Sequence, residues 1–178
     1  IAHVRGAAER RGKEVAILQD LQGPKIRTGP LTGGRAVELR AGRPFIITTG
    51  ECVGDAERVS TSYAALPADL GPGDRVLLSD GMMELRVVSV SGREVITEVV
   101  IGGMLRAHQG INLPGVALSA PALTDKDRED LAFGLEQDVD LMTLSFVRRA
   151  ADIREIKGVI AAAGRNIPVV AKIERAEA

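Results

Sequence analysis

Pro168-Val169-Val170-Ala171-Lys172-Ile173-Glu174 reads as a strand that begins apolar and then carries two opposite charges two positions apart. Side chains alternate across a strand, so Lys172 and Glu174 share one face and Ile173 takes the other. An ammonium and a carboxylate then stand side by side at the strand's C-terminal end. In isolation a Lys-x-Glu is the ordinary exit of a strand from a core; the segments upstream give this one another meaning. Val139 to Phe146 reads as an apolar strand, and Asp152 to Ala163, stopped by Gly164, as the helix that follows it. Before them, Thr124 is placed to cap a helix ending near Gln137. Its first turn holds Asp125 and Asp127 against the positive helix end, and Leu131 and Leu135 form an i, i+4 apolar face.

Further upstream, residues 1 to 14 read as the tail of an amphipathic helix. Val15-Ala16-Ile17-Leu18 reads as a strand covered on both faces that ends in Gln19-Asp20. Strand, helix, strand, helix, strand in succession predicts parallel βαβ units. Asp20, Ser145, Lys172 and Glu174 then fall at the C-terminal ends of three strands. That edge is where (β/α) barrels and open parallel sheets place their ligands.

Between Pro30 and Pro114 the texture changes. Short segments at Ala36 to Leu39, Phe45 to Thr48, Arg58 to Ser60, Arg75 to Leu78, Met82 to Val90 and Glu94 to Val100 are separated by glycine-rich breaks. This pattern predicts an all-β module, a small barrel, inserted into the α/β part. Leu85, Val87 and Ser89 alternate with Arg86, Val88 and Val90, and Ser91-Gly92 fits a hairpin. Gly23-Pro24 and Leu113-Pro114-Gly115 supply the joints, so residues 1–27 and 115–178 are assigned to the α/β part and 28–114 to the insertion. A module hung on such joints above a catalytic edge is suited to act as a lid that excludes water.

Composition narrows the function. A content of 45% hydrophobic and only 2% aromatic residues requires a core of aliphatic side chains. A net charge of −1 offers no basic field, which speaks against binding to nucleic acid or to an acidic membrane surface. Cys52 is alone, no apolar run reaches membrane-spanning length, and no signal peptide precedes Ile1, so a cytoplasmic setting is expected. The start in mid-helix and the end without a closing element lead us to expect a piece of a longer protein.

Taken together, Asp20-Leu21-Gln22-Gly23-Pro24-Lys25-Ile26-Arg27-Thr28-Gly29, Ser79-Asp80-Gly81, Gln109-Gly110-Ile111-Asn112-Leu113-Pro114-Gly115, Thr124-Asp125-Lys126-Asp127, Ser145-Phe146-Val147-Arg148 and Ala171-Lys172-Ile173-Glu174 resemble the pyruvate kinases in order and approximate spacing. The resemblance implies a partial (β/α)8 barrel, its third to fifth strands, with an inserted β-barrel lid. It implies phosphoryl transfer from phosphoenolpyruvate to ADP, giving pyruvate and ATP in glycolysis, by a homotetramer. Lys172 matches the ammonium that stabilises the transition state, and Glu174 a carboxylate ligand of Mg²⁺ or Mn²⁺. Arg27 matches a contact to nucleotide phosphates. Asp20 and the main-chain carbonyl of Leu21 match a monovalent cation site. Asp80 matches a lid residue that faces the nucleotide on closure, although it also reads as a plain turn aspartate.

Two departures from the family pattern stand out. Gln109 occupies a position where the family often has lysine, and Lys25 stands where K⁺-dependent members have glutamate. The second implies that K⁺ is dispensable, its charge supplied by the Lys25 ammonium. The substrate-binding arginine and the second metal carboxylate of the family would lie outside residues 1–178, so the piece alone is expected to be inactive. A different class also fits the sequence: a noncatalytic adaptor, with the β module as binding domain and the βαβ units as platform. The charged pair Lys172 and Glu174 discriminates, since an adaptor has no need of it.

Overall fold

Two units make up the chain, one formed by Ile1–Pro24 with Ala120–Ala178 and the other by Lys25–Ser119. The computed structural model describes residues 1–174. Helix α1 (Ala2–Arg10) and strand β1 (Leu18–Leu21) come first. The second unit then holds a 3-10 turn at Thr32–Gly34, strands β2 (Val37–Leu39), β3 (Pro44–Thr48) and β4 (Arg58–Ser60) and the short helix α2 (Leu66–Asp69). It continues with β5 (Arg75–Leu78), β6 (Met83–Ser91), β7 (Glu94–Ile101), β8 (Gly103–Leu105) and β9 (Ile111–Asn112). Helix α3 (Asp125–Glu136), strand β10 (Leu141–Leu144), helix α4 (Ala150–Ala162) and strand β11 (Val169–Ala171) complete the first unit.

In the first unit β1, β10 and β11 form a parallel sheet with β10 in the middle. Helix α3 starts as its sequence dictates. Thr124 is the N-cap, its hydroxyl accepting the Asp127 N–H while the Asp127 carboxylate accepts the Thr124 N–H, a reciprocal capping box. Leu131 and Leu135 turn inward to join Leu21, Met142, Leu144, Ile156 and Ile160 in an aliphatic core. Gly134 lets α3 approach β1 closely. A Cβ there would stand 1.7 Å from the Gln19 side-chain oxygen, so any larger residue would displace the Gln19 side chain from its present place. The Gln19 amide in turn donates to the Asp130 carbonyl at 2.6 Å.

Strand β1 begins later than its apolar run suggests. Val15 and Leu18 are each 49% exposed, against the expectation of a strand covered on both faces. Pairing decides the boundary. Asp140 accepts the Ile17 N–H at 2.7 Å and its own N–H donates to the Ile17 carbonyl, so the ladder with β10 opens at Leu18 and draws Gln19 and Asp20 inside the strand. Helix α4 starts two residues before Asp152, because the buried Asp152 carboxylate accepts the N–H groups of Arg148 and Arg149 ahead of it. Gly164, at φ +71°, ends that helix as its position predicts. Strand β11 covers three residues where seven were expected, although the Lys172 N–H still donates to the Leu144 carbonyl.

In the second unit six strands pair in the order β4-β3-β7-β6-β5-β9, and β2 pairs with β8. The edges of the six-stranded sheet are joined by residues 26 to 29. Ile111 N–H donates to the Ile26 carbonyl and Thr28 N–H to the Gln109 carbonyl on one side; Gly29 N–H donates to the Ser60 carbonyl on the other. These residues thus bridge the two outer strands of the sheet. Inside lie Phe45, Ile47, Val76, Leu78, Leu85, Val95 and Leu105. In β6, Leu85 and Val87 point inward and Arg86 and Val88 outward, as read from the sequence. A register shift between Val87 and Ser89 then moves the inward role from Ser89 to Val90, which packs on the core opposite Val95. Strands β8 and β9 and helix α2 have no counterpart among the expected segments. Each is short, and β9 in particular is fixed by its neighbour β5 rather than by any pattern of its own. Ile26, Val116 and Leu118 belong to this core, which draws 25–27 and 115–119 into the second unit.

Among the described residues β1 and β11 each pair along one side only, whereas β3, β6 and β7 are paired along both. Amide hydrogen exchange of the 178-residue chain is therefore expected to be at least about tenfold slower in β6 and β7 than in β1 and β11. The reverse order would contradict this account of where the stability lies.

Candidate active site

Parallel register brings the site together. Asp20 of β1 lies opposite Thr143 of β10, and Thr143 opposite Val170 of β11. Two residues further along their strands, on the same face, come Ser145 and Lys172. The Lys172 ammonium stands 3.2 Å from Asp20 Oδ2, 3.1 Å from Ser145 Oγ and 3.6 Å from Glu174 Oε1. Ser145, almost fully buried, donates to the Leu21 carbonyl at 2.6 Å. Thr143 donates its hydroxyl to Asp20 Oδ1. Glu174 is held in turn by the Phe146 N–H, which donates to Oε2 at 3.0 Å. Lys172 and Glu174 do share a face, and Ile173 is exposed on its own side.

These contacts set the protonation of the group. The Thr143 hydroxyl holds the Asp20 carboxyl below its usual range, against an opposing desolvation and with the help of the Lys172 hydrogen bond and charge. For Lys172, partial desolvation works against the ammonium but is outweighed by the Asp20 hydrogen bond and the charges of Glu174 and Asp20, so its pKa is raised. At neutral pH the Asp20 carboxylate and the Lys172 ammonium are therefore both charged. The arrangement can offer one cation, fixed at the end of a strand, to a group that becomes more negative during a reaction.

Glu174 also suits a hard divalent cation. Its Oε2 accepts the Phe146 N–H and its Oε1 lies 3.6 Å from the Lys172 ammonium, and Mg²⁺ commonly takes one or two protein carboxylates and fills its other positions with water and substrate oxygens. No trio of His, Cys, Asp or Glu that could enclose a metal occurs among the described residues. The Glu174 carboxylate fits as one ligand of such an ion.

Arg27, Lys25 and Asp80 belong to the second unit. Arg27 lies on the segment that closes the sheet, its guanidinium donating to the His108 carbonyl at 2.6 Å and its backbone tied to Ser62. Lys25 is exposed. Asp80 is exposed in a turn where Ser79, Asp80 and Gly81 all have positive φ. Gln109 serves the loop itself: its side-chain oxygen accepts the Arg106 N–H at 2.9 Å, and its N–H donates to the Thr28 hydroxyl at 3.0 Å. A groove of about 680 Å³ in the same unit, lined by Glu38, Arg40, Arg43 and Glu57, contains none of the residues singled out in the sequence.

Sequence reasoning missed Thr143. The signal was available: a lone hydroxyl in an apolar strand, two positions before Ser145 and hence on its face. Because the Asp20 pKa is lowered on folding, its contribution to stability is complete above the ordinary carboxylate range and fades as pH falls through the folded value. The raised Lys172 pKa works oppositely, its contribution complete below the ordinary lysine value and lost as pH rises through the folded one. Thr143→Val should raise the titration midpoint of the Asp20 carboxyl, read by carbon-detected NMR, without bringing it into the neutral range. An unmoved midpoint would remove Thr143 as the source of the shift.

Comparison with known proteins agrees with this geometry. The family model for the pyruvate kinase barrel domain matches residues 1–178. Pyruvate kinase 2 of Synechocystis is 48% identical over 181 residues, covering 98% of this chain and 30% of that protein. Pyruvate kinase of Corynebacterium glutamicum is 47% identical over 175 residues, covering 98% of this chain and 37% of its own. The crystal structure of a pyruvate kinase from Cryptosporidium parvum superposes with a TM-score of 0.86 at 34% identity, over 98% of this chain and 37% of that one. The chain thus spans about a third of the length of these relatives. With a family model matched from end to end, this chain belongs to the pyruvate kinase family.

Proposed function

We propose that the protein containing this chain transfers the phosphoryl group of phosphoenolpyruvate to ADP, and that Lys172, Glu174 and Asp20 form part of the site where this occurs. The observation that carries the reading is the Lys172 ammonium held at the C-terminal end of β11 by Asp20, Ser145 and Glu174 in a chain of this family. Phosphoryl transfer depends mainly on positioning and on neutralising charge around the moving group. Lys172 meets that need: three neighbours fix its ammonium, and with a raised pKa it keeps its proton throughout the neutral range. It stabilises the negative charge that builds on the transferred group and on the enolate oxygen left behind. A divalent cation bound there would polarise the phosphoryl oxygens, and Glu174 is its protein ligand in this chain. Asp20 orients Lys172 and keeps the site's net charge low before the substrate arrives. Arg27 has a planar fork of donors suited to the nucleotide phosphates. The adaptor reading gains nothing from a charged triad at a strand end.

In the full-length enzyme, Lys172→Met is expected to lower kcat by at least about a thousandfold, with nucleotide affinity changed by less than about threefold, because the ammonium acts on transition-state charge. Equal losses in kcat and in nucleotide binding would make Lys172 a binding residue.

Lys25 bears on the monovalent cation. Asp20 and the Leu21 carbonyl, the oxygens implied as cation ligands, are engaged by the Lys172 ammonium and the Ser145 hydroxyl respectively. A permanent ammonium from Lys25 in place of a bound K⁺ would leave the charge of the site the same. The full-length enzyme should run at nearly full rate with Na⁺ or an organic cation in place of K⁺, and Lys25→Glu should create a K⁺ requirement. Strong K⁺ activation of the unaltered enzyme would sink this assignment.

A further inference from the structure

Phe146 adopts a backbone conformation that a bulky residue rarely takes, with φ +55° immediately after the buried Ser145. Its consequence is visible in the hydrogen bonds. The Phe146 N–H is turned onto Glu174 Oε2 at 3.0 Å, while the next N–H, of Val147, donates to the Lys172 carbonyl at 3.3 Å. With Lys172 N–H bonded to the Leu144 carbonyl at 3.0 Å, residues 144 to 147 hold the 172–174 segment at three points. One oxygen of Glu174 is committed to Phe146, and the other lies toward Lys172, 3.6 Å from its ammonium.

The segment that follows β1 passes directly against Phe146. Gly23, at φ +68°, passes so close that a Cβ on it would lie 3.1 Å from the Phe146 ring and 3.1 Å from the Ser145 carbonyl oxygen. The Gly23 N–H donates at 3.0 Å to Oδ1 of Asp127, which is completely buried. The other oxygen of Asp127 is the one occupied by Thr124 in the capping box. Capping α3 uses only that second oxygen. The first ties the segment after β1 to the start of the helix, and so presses Gly23 against Ser145 and Phe146.

We propose that Asp127, Gly23 and Phe146 form a positioning line running from the start of α3 to Glu174, in which the left-handed backbone of Phe146 orients the Glu174 carboxylate by holding Oε2, so that Oε1 would be the oxygen offered to a divalent cation. This rests on the reading of Glu174 as a metal ligand. All three act through Glu174 and none touches the reacting atoms. The line is a property of the backbone: what counts at position 146 is tolerance of positive φ and possession of an N–H, not the volume of the ring.

That distinction is open to test in the full-length enzyme by Mn²⁺ binding without substrates, followed by electron paramagnetic resonance. Phe146→Gly and Phe146→Asn keep the N–H and accept positive φ, so both should bind Mn²⁺ within about threefold of the parent. Phe146→Val keeps more apolar volume but resists positive φ, and should bind at least about fivefold more weakly. Should the valine variant not fold, Phe146→Ala takes its place, with weaker binding than the asparagine variant expected. Gly23→Ala should also weaken binding, through displacement of the Ser145-Phe146 backbone. An order that follows side-chain size, or equal affinities across the series, overturns the proposal. Glu174→Gln separates the two levels of the argument. If it weakens Mn²⁺ binding while the Phe146 and Gly23 variants do not, the positioning line falls and the metal-ligand reading stands. If it leaves Mn²⁺ binding unchanged, the metal-ligand reading falls and takes the positioning line with it.

Discussion

The Lys172 ammonium meets Asp20 from one strand, the Ser145 hydroxyl from the turn after another, and Glu174 from its own segment. Those partners converge only if β1, β10 and β11 keep one register. A slip of a single residue in β1 would turn Asp20 to the opposite face and bring Gln19 or Leu21 in its place. The apolar row on the other face enforces the same register, because Leu21 and Leu144 lie opposite one another and both are buried. Charge and core therefore specify the same alignment.

This coupling explains the polar content of an otherwise aliphatic unit. Among the described residues its buried polar ones are Thr143, Ser145, Asp127 and Asp152, and each is hydrogen-bonded, the first three to the segment from Asp20 to Gly23. Two of them start helices: Asp127 at α3 and Asp152 at α4 each accept backbone N–H groups ahead of the first turn. An unpartnered carboxylate at such depth would cost several kcal/mol, so the loops that supply the N–H donors are held where those carboxylates need them. For Asp152, burial raises the pKa of the carboxyl but the N–H groups of Arg148 and Arg149 and the Arg149 side chain outweigh it, and the net shift is downward.

The second unit solves a different problem, that of a sheet with two edges. Residues 26 to 29 bond to the β9 side and to the β4 side at once, removing both edges with four residues. Gly29 lies close to Ser60 here: a Cβ on it would stand 2.0 Å from the serine hydroxyl oxygen, which would have to turn away from the Cys52 carbonyl it now donates to. Arg27 is thereby fixed at its backbone, and its side chain starts from a rigid base.

Much of this was legible in the amino-acid sequence, because it depends on local rules. Thr124 and Asp127 announce a capped helix, Leu131 and Leu135 its inward face, Gly164 a helix end, and the glycine-punctuated segments from β3 to β7 a sheet with boundaries within one or two residues of those found. The shared face of Lys172 and Glu174 follows from strand alternation alone. What the sequence could not carry was anything set by a partner distant in the chain. The start of β1 is decided by Asp140, the inward turn of Val90 by the bulge against β7, and the existence of β9 by β5. The Thr143 contact that lowers the Asp20 pKa, and the left-handed Phe146 that donates to Glu174, likewise arise only when separate strands are laid side by side. Residue type and spacing determine which groups a face presents; the register between strands, a tertiary property, determines which of those groups touch.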